Sequence, residues 1–516
     1  MAGTTISIAR VFTRALYGME APLVTVEVCL ASGLPAFAVV GMPHAGVREA
    51  RDRVRSAIQA SDFEFPRGRK ITVNLAPADL PKHGARYDLA IAIGILVADG
   101  QISERAVVSR EFYGELTLNG ELRGVPGILP AMLACREQGR EAVIPLANQT
   151  EASVVREQQC VAAESLRDVS EHLRGPHHLP HLPPLQPNEQ PHFYGDLADV
   201  IGQEQAKRAL ILAAMGGHHV LFVGPPGTGK TMLAQRLLGL LPPLSDTEGL
   251  EVAAIRSVAG HNYNAEHPSA WLERNLRSPH HSCSAAALVG GGSPPQPGEI
   301  SLAHKSLLFL DELPEFSRHV LDSLREPLES GQVSISRAGY QATFPAQFQL
   351  VCALNPSPCG HFDGTLASAR ATPDQITRYL GRLSGPLLDR VDMQVDVPRQ
   401  PDVLKQQHQQ QQPQTPALRK QVSKVRELQM RRQGCLNSEL KTAQLAEYCR
   451  LSDDDHSFLV AAIERFKLSH RAYHRVLRLA RTIADAAEVE HMNKTHLAEA
   501  LSYRALDRLL QQLQEL

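Results

Sequence analysis

The 516-residue sequence predicts an α/β protein of three domains: an α+β N-terminal domain, a core built on a parallel sheet, and a helical C-terminal lid domain. Length alone indicates several hydrophobic cores, because a domain averages about 150 residues. Short apolar runs alternate with helical patterns in the central part of the chain, which is typical of a parallel sheet. A Pro/His-rich stretch and a Gln-rich stretch separate the three parts. The predicted boundaries are 1–174, 175–194 (linker), 195–400 and 401–516.

The composition of the chain indicates the kind of cellular environment in which the protein works. Apolar residues make up 43% of the chain and charged residues 21%, as in ordinary globular proteins. The 53 basic and 55 acidic residues give a net charge of −2, so any DNA binding must come from local basic patches. The first residues do not show a basic region followed by an apolar one, so we expect no secretion, and no apolar run is long enough to span a membrane. Its eight cysteines form no CxxC pair, which indicates free thiols. We therefore expect a cytoplasmic protein that makes no membrane contact.

The N-terminal domain mixes both kinds of secondary structure. Strand-like runs lie at 23–28, 71–75 and 142–144, and helical patterns lie at 47–59 and 88–98.

One part of this domain is locally basic. Residues 48–70 carry seven basic and four acidic side chains. Arg51 and Arg55 are four residues apart on the predicted helix and are candidates for phosphate contacts with DNA. A solvated helix face with internal ion pairs is the alternative.

The central part contains a glycine-rich motif. An apolar strand at 219–223 runs into GxxxxGK[ST] at 224–231, and a helical pattern follows. The glycines let backbone N–H groups turn toward phosphate, and the helix adds its positive N-terminal end. Lys230 is expected to reach the β- and γ-phosphates, and the Thr231 hydroxyl to bind Mg²⁺. The predicted ATP-binding residues are Gly224, Pro225, Pro226, Gly227, Thr228, Gly229, Lys230 and Thr231.

Polar residues end two further apolar strands. Asp311 and Glu312 follow the run 306–310, and Asn355 follows 349–354. Buried parallel strands place such residues at one edge of the sheet, where ligands bind. Asp311 is expected to hold Mg²⁺ through its water shell, Glu312 to orient the attacking water, and Asn355 to bond the γ-phosphate or that water. Solvated acids and a structural amide cap are the alternatives.

Two arginine positions complete the predicted machinery. Arg390 lies where it would face a neighbouring subunit and could stabilise transition-state charge across an interface. An internal ion pair with Asp389 or Asp392 is the alternative. Farther on, Arg471, Arg475 and Arg478 lie on one face of a predicted helix whose other face is apolar, and one of them could contact a γ-phosphate. A solvated basic stripe is the alternative.

Together these motifs resemble the magnesium-chelatase-like branch of the AAA+ ATPases, and more narrowly the ComM (YifB-type) proteins. The resemblance covers nearly the whole chain and is carried by segments 224–231, 308–316, 383–390 and 471–483. It implies that Asn355 acts as sensor 1, Arg390 as arginine finger and Arg471 as sensor 2, with Arg475 the next choice. It also implies a homo-hexamer that hydrolyses ATP and branch-migrates recombining DNA during natural transformation.

Two segments interrupt the ATPase core. Residues 333–344 predict a hairpin with its turn near Ala338, and the resemblance implies that such inserts enter a ring pore. Arg337 and Tyr340 near the tip are candidates to contact a phosphate and a base face. A solvent-exposed hairpin without ligand is the alternative. The glycines of the other insert, at 280–293, suggest a mobile loop that responds to nucleotide state.

The N-terminal domain resembles a Lon-type protease domain without its chemistry. Segments 81–93 and 114–129 carry the resemblance, but Arg86 stands in place of the nucleophilic Ser and Leu129 in place of the dyad Lys. A Ser–Lys dyad needs both side chains, so we expect a binding platform rather than a peptidase.

Zinc is not expected. The segment after Asn355 offers Cys359, His361 and Asp363, which do not make a convincing four-ligand set.

The prediction is thus a hexameric DNA motor, a branch-migration helicase. Its rivals are a chelatase-type motor that remodels a protein partner, an ATP-dependent protease and a non-enzymatic adaptor.

Overall fold

The computed structural model describes residues 6–175, 177–185, 194–261, 271–337, 340–358, 371–400 and 412–514. It has the mixed α/β architecture predicted from the sequence, with helices alone after residue 412. We call residues 7–174 (β1 to α6) the N-terminal domain, residues 204–396 (α7 to β18) the central domain, and residues 415–514 (α16 to α21) the C-terminal domain. Within these described ranges, no helix is both long and apolar enough to cross a membrane.

The N-terminal domain is built on a seven-stranded sheet with strand order β3-β4-β2-β1-β5-β8-β9. Alternating residues of β1, β2 and β4 are buried, which is the pattern of a sheet covered on one face. Helix α3 is apolar all round and buried along its whole length, as the sequence predicted for 88–98. The elements are β1 Ser7–Arg14, β2 Leu23–Ser32, β3 Ala36–Val40, α1 Ala45–Arg48, α2 Ala50–Ala60, β4 Arg69–Ala76, α3 Asp88–Ala98, β5 Arg110–Phe112, β6 Glu115–Leu116, β7 Leu122–Arg123, α4 Ile128–Glu137, β8 Glu141–Pro145, α5 Gln149–Ala152, β9 Cys160–Ala163 and α6 Leu166–Arg174.

The central domain is built on a five-stranded sheet with order β11-β14-β17-β10-β18, in which every neighbouring pair is parallel. Its strands β10, β14 and β17 are apolar and buried on both faces, as parallel strands between helices must be. The elements are α7 Glu204–Gly216, β10 Val220–Val223, α8 Lys230–Leu240, α9 Asp246–Val258, β11 Leu276–Arg277, α10 Ala285–Val289, β12 Gly290–Gly291, β13 Gln296–Pro297, α11 Glu299–Leu302, β14 Leu307–Leu310, α12 Arg318–Asp322, α13 Arg325–Ser330, β15 Gln332–Arg337, β16 Tyr340–Pro345, β17 Gln349–Leu354, α14 Pro373–Leu380, α15 Gly385–Leu388 and β18 Met393–Asp396.

The C-terminal domain packs against the first helix of the central domain. Helix α19 buries Val476, Leu479 and Ile483 on one face, as the helical spacing predicted, and this face belongs to the same apolar cluster as β10 and α7. The elements are α16 Thr415–Gln433, α17 Thr442–Tyr448, α18 Asp453–Arg465, α19 His470–Ala486, α20 Lys494–Ser502 and α21 Ala505–Gln514.

The Pro/His-rich stretch, predicted as a linker, makes apolar contacts. Leu179, Leu182 and Leu185 are partly buried and pack against apolar clusters that contain residues of the N-terminal domain. The linker boundaries 175–194 stay a prediction.

The glycine-rich insert predicted at 280–293 contains α10 and β12, and β12 pairs with β13 just beyond it. Gly290 is required there because a Cβ would collide with the backbone of β13. A response of this segment to nucleotide state stays a prediction.

The predicted hairpin at 333–344 is confirmed as β15 paired with β16.

Candidate nucleotide-binding site

The glycine-rich loop joins β10 to α8 where the strand order of the central sheet reverses. Strand β10 lies between β17 and β18, while the next strand in sequence, β11, lies at the far edge. Such switch points form the ligand crevice of parallel sheets. Gly227 and Gly229 have φ values of 78° and 89°, and Gly229 gives α8 no side-chain cap. The first-turn N–H groups of α8 are therefore free of a capping side chain.

Lys230 ties this loop to the neighbouring strand. Its Nζ donates to the carbonyl oxygens of Gly224 (2.8 Å) and Pro225 (2.7 Å) and to Asn355 Oδ1 (3.0 Å). Burial lowers the pKa of Lys230, although Asp311 and Glu312 act in the opposite direction. The predicted phosphate-binding lysine and the predicted sensor-1 amide are thus in direct contact.

Thr231 and Asp311, the two predicted metal-binding residues, also come together. Thr231 Oγ1 donates to Asp311 Oδ2 at 2.9 Å, across 80 residues of sequence. The second carboxylate oxygen accepts a hydrogen bond from the backbone N–H of Glu312. A hydroxyl and a carboxylate side by side provide the hard oxygen ligands that Mg²⁺ prefers, so this pair fits the predicted ion.

Glu312 is held in an unusual conformation. Its φ of 52° places a non-glycine residue in the left-handed region, which is uncommon and strained. Its carboxylate is half exposed, and Oε2 lies 3.3 Å from Nδ1 of His281. The ring of His281 stacks on His280 at 4.0 Å and meets the edge of Phe316.

His281 is a site residue that the sequence analysis missed. It follows β11, the strand next to β14, so the rule that placed Asp311 at the sheet edge also applies to it. The short length of β11, only two residues, hid that signal.

Arg390 has a different partner from those expected. Its side chain forms an ion pair with Glu329 and donates to the Pro386 carbonyl oxygen at 2.6 Å. The alternative of a pair with Asp389 or Asp392 is wrong, because those acids are engaged by other elements. Asp389 faces α19, and Asp392 is buried beside His218 and accepts from a backbone N–H.

The two sensor-2 candidates on α19 differ in environment. Arg471 is 63% exposed and its Nη1 lies 3.7 Å from Asp389 Oδ2. Arg475 is 6% exposed, lies 3.9 Å from Asp389 Oδ1 and donates to the Val391 carbonyl oxygen. Burial lowers the pKa of Arg475 to about 10. The structure brings both beside the segment that carries Arg390, and the choice between them stays a prediction.

The predicted DNA contacts belong to the β15–β16 hairpin and to α2. Arg337 and Tyr340 are the last paired residues of the β15–β16 ladder, and the turn between them lies outside the described residues. On α2, Arg51 forms an ion pair with Asp52 at 2.9 Å, and Arg55 lies 5.7 Å from the ring centre of Phe65. Each α2 arginine is thus engaged within its own domain, and DNA contact stays a prediction.

The positions compared with a Ser–Lys dyad are buried in the N-terminal domain. Arg86 Nη2 donates weakly to the Gly127 carbonyl oxygen at 3.4 Å, and Leu129 is fully buried two residues farther on.

The zinc prediction is not tested by the structure. Cys359, His361 and Asp363 lie outside the described residues, so the expectation stays a prediction.

The fold and this edge define a P-loop nucleotide-binding protein: a parallel sheet with a glycine-rich loop, lysine, threonine and acidic strand end in contact. Family comparison gives the same class. The chain matches the family "Magnesium chelatase, subunit ChlI" over 196–404, "Subunit ChlI of Mg-chelatase" over 26–148, and "Magnesium chelatase, subunit ChlI C-terminal" over 412–504.

Full-length relatives narrow the family. The chain is 50% identical to "Competence protein ComM" of Haemophilus influenzae over 98% of this chain and 99% of that protein. It is 49% identical to YifB of Salmonella typhimurium, covering 99% of each. It therefore belongs to the ComM/YifB-type, magnesium-chelatase-like AAA+ family. Similarity to the "Magnesium-chelatase 38 kDa subunit" of Cereibacter sphaeroides is 30% over only 30% of this chain and 51% of that protein.

Proposed function

We propose that the protein is an ATP-hydrolysing motor that acts on DNA. The observation that carries the ATPase part is the convergence of Lys230, Thr231, Asp311 and Asn355 on one sheet edge. The loop N–H groups and Lys230 bind the phosphates of ATP. Thr231 and Asp311 hold Mg²⁺, which neutralises phosphate charge when bound.

Glu312 orients the attacking water and accepts its proton. His281 Nδ1 lies 3.3 Å from Glu312 Oε2, and the other carboxylate oxygen, Oε1, remains able to accept a hydrogen bond from the attacking water.

Assembly completes the site. Arg390 acts in trans on the ATP of a neighbouring protomer in a homo-hexamer, and Arg471 acts as sensor 2, with Arg475 the alternative. Within one chain Arg390 is paired with Glu329, so its transfer to a neighbour's phosphate requires this ion pair to open. The Glu329 side chain is 63% exposed and the Arg390 side chain 14% exposed, so water reaches the pair mainly from the Glu329 side.

The DNA part rests on the family and on the hairpin. A relative that is 50% identical over nearly the whole chain is a competence protein, which supports a role in natural transformation. We propose branch migration of recombination intermediates in the cytoplasm, with Arg337, Tyr340, Arg51 and Arg55 as DNA contacts. A chelatase-type motor acting on a protein partner is the second candidate, supported by the match to magnesium-chelatase subunits.

ATP turnover measured with single-stranded, duplex and four-way-junction DNA tests the proposal. We expect DNA to stimulate ATP turnover, and we expect branch migration to separate the four-way junction into duplex products. Glu312→Gln is expected to keep ATP binding and lose turnover by about 100-fold or more. Glu326→Gln, an exposed change on α13, is the matched control. Turnover that no DNA changes, together with intact junctions, favours the chelatase-type candidate.

Arg390→Ala separates assembly from chemistry. It is expected to keep ATP binding and lose turnover even at protein concentrations where particles are fully assembled. Unchanged turnover at saturating protein removes Arg390 from the mechanism.

A further inference from the structure

The N-terminal domain reaches the hairpin of the central domain through a small turn. Residues 16–20, which we call the tip turn, lie between β1 and β2. Tyr17 and Glu20 exchange two backbone hydrogen bonds of 2.9 and 3.0 Å, and Ala15 N–H bonds the Pro22 carbonyl oxygen behind them. The turn is thus held in shape by its own backbone.

The tip turn contacts β16 directly. The backbone N–H of Gln341 donates to the Tyr17 hydroxyl oxygen at 3.3 Å. Gly18 has a φ of 60°, and a Cβ built on it would lie 3.0 Å from the Cβ of Ala342. Leu16 and Met19, on either side of these residues, pack against the apolar cluster that contains the inner face of the hairpin.

These contacts fall at the far end of the hairpin. Gln341 is one residue from Tyr340, the last paired residue of the described ladder. The strands β15 and β16 form a two-stranded sheet of their own, and such a ribbon is marginally stable without support. The tip turn supplies support at that end, while buried Phe344 anchors the other end in the central domain.

The tip turn is itself fixed to the central domain at a second place. A Cβ at Gly127 would lie 2.5 Å from Leu16 Cδ2, so Leu16 fills the space before α4. Gly127 N–H and Leu129 N–H then bond the carbonyl oxygen (2.9 Å) and the hydroxyl (3.2 Å) of Ser257 in α9. The tip turn, the start of α4 and α9 are thus joined by a continuous series of contacts.

We propose that Tyr17 and Gly18 are positioning residues for the hairpin. The N-terminal domain then acts on DNA by holding the far end of β15–β16 in place, in addition to any contact of its own. The proposal rests on the proposed function, in which the hairpin contacts DNA.

Two tip-turn variants test it. Tyr17→Phe removes only the hydroxyl, and Gly18→Val places a branched side chain at positive φ against Ala342. We expect Tyr17→Phe to lower DNA affinity and DNA-stimulated ATP turnover by about fivefold, the change that loss of one hydrogen bond produces. Gly18→Val should lower both quantities at least as much, because its side chain is strained at positive φ and meets Ala342. DNA-free turnover should stay within about twofold of the unmodified protein. Glu20→Gln, exposed in the same turn, is the control and should change neither quantity.

Hydrogen exchange supplies the direct readout. The Gln341 amide should exchange about fivefold faster in Tyr17→Phe than in Glu20→Gln. Unchanged exchange and unchanged DNA affinity in both tip-turn variants overturn the proposal.

Arg337→Ala and Tyr340→Ala separate this failure from failure of the proposed function. If they weaken DNA binding while the tip-turn variants do not, only the positioning role falls. If they too leave DNA binding unchanged, the hairpin has no DNA role, and the positioning proposal falls together with the hairpin contacts of the proposed function.

Discussion

Helices α8 and α4 begin with the same local geometry, but their N-termini have opposite roles. Each follows a glycine with positive φ, Gly229 at 89° and Gly127 at 68°, and neither glycine provides a side-chain cap. Around α8 the space stays open, because a Cβ at Gly227 or Gly229 would meet no atom within 4 Å. The buried ammonium of Lys230 adds positive charge to this open N-terminus.

The N-terminus of α4 is instead covered by other side chains of the protein. Leu16 fills the space before it, and Ser257 of the central domain bonds its N–H groups. A helix start thus serves an anion only where no side chain of the chain covers it. The same local geometry makes a nucleotide site in one domain and a junction between domains in the other.

Replacing Lys230 by Ala should have the largest effect of the changes considered, a loss of ATP affinity. The variant loses the cation of the open N-terminus, and with it charge-assisted bonds worth about 1.5–3 kcal/mol each. We expect ATP affinity, measured by calorimetric titration, to fall by about 100-fold or more. Lys420→Ala, an exposed change on α16, is the control. Retained affinity in Lys230→Ala would show that the open N-terminus is not the phosphate site.

A pair of glycine substitutions compares the two helix starts directly. Gly127→Ala adds a clash with Leu16 to backbone strain and should cost about 2–4 kcal/mol of stability, with ATP affinity unchanged. Gly227→Ala meets no atom and should cost only about 1 kcal/mol, but it should weaken ATP binding. Thermal unfolding and ATP titration of both variants check this. Equal destabilisation by the two would break the comparison.

The sequence predicts the open site well because that site is made of local patterns. The strand–loop–helix motif fixes Lys230 and Thr231, and the strand-end rule brings Asp311 and Asn355 to the same edge. Helix α3 follows from a long continuous apolar run, and the hairpin follows from the alternation of its residues around a turn.

The junction could not be predicted in this way. Ser257 and Leu129 are 128 residues apart, and no local pattern marks a serine that caps a helix of another domain. The same holds for the pairing of Arg390 with Glu329 rather than with its neighbours in sequence. Such contacts depend on how helices and strands pack against one another, and the residues next to each position in the sequence do not determine that packing.

Ser257→Ala should have a smaller effect, confined to the junction. The Leu129 N–H loses its partner, and loss of a helix cap costs about 1 kcal/mol. We expect the midpoint of thermal unfolding to fall by a few degrees while ATP affinity stays the same. Ser245→Ala is the matched comparison, because Ser245 caps α9 within its own domain. A change in ATP affinity of Ser257→Ala alone would show that the junction and the nucleotide site are coupled.

Glu151 gives the junction a pH dependence, an effect on stability similar in size to that of Ser257→Ala. Burial raises the pKa of Glu151 to about 7, although hydrogen bonds from Ser257 and Asn148 act in the opposite direction. An unfolded glutamate titrates near about 4.3, so between these values the folded protein holds the proton more tightly. Stability contributed by Glu151 is therefore present at low pH and is lost as pH rises toward 7.

Glu151→Gln should remove this dependence. Between pH 5 and pH 7.5, we expect the free energy of unfolding of the variant to fall by about 1–2 kcal/mol less than that of the unmodified protein. Asp88, whose pKa burial raises to about 6, contributes equally to both proteins, so the difference isolates Glu151. Glu49→Gln, an exposed change in the same domain, should follow the unmodified protein. Parallel pH curves for Glu151→Gln and the unmodified protein would mean that the carboxylate is solvated, and the junction around α4 would then be as open as the start of α8.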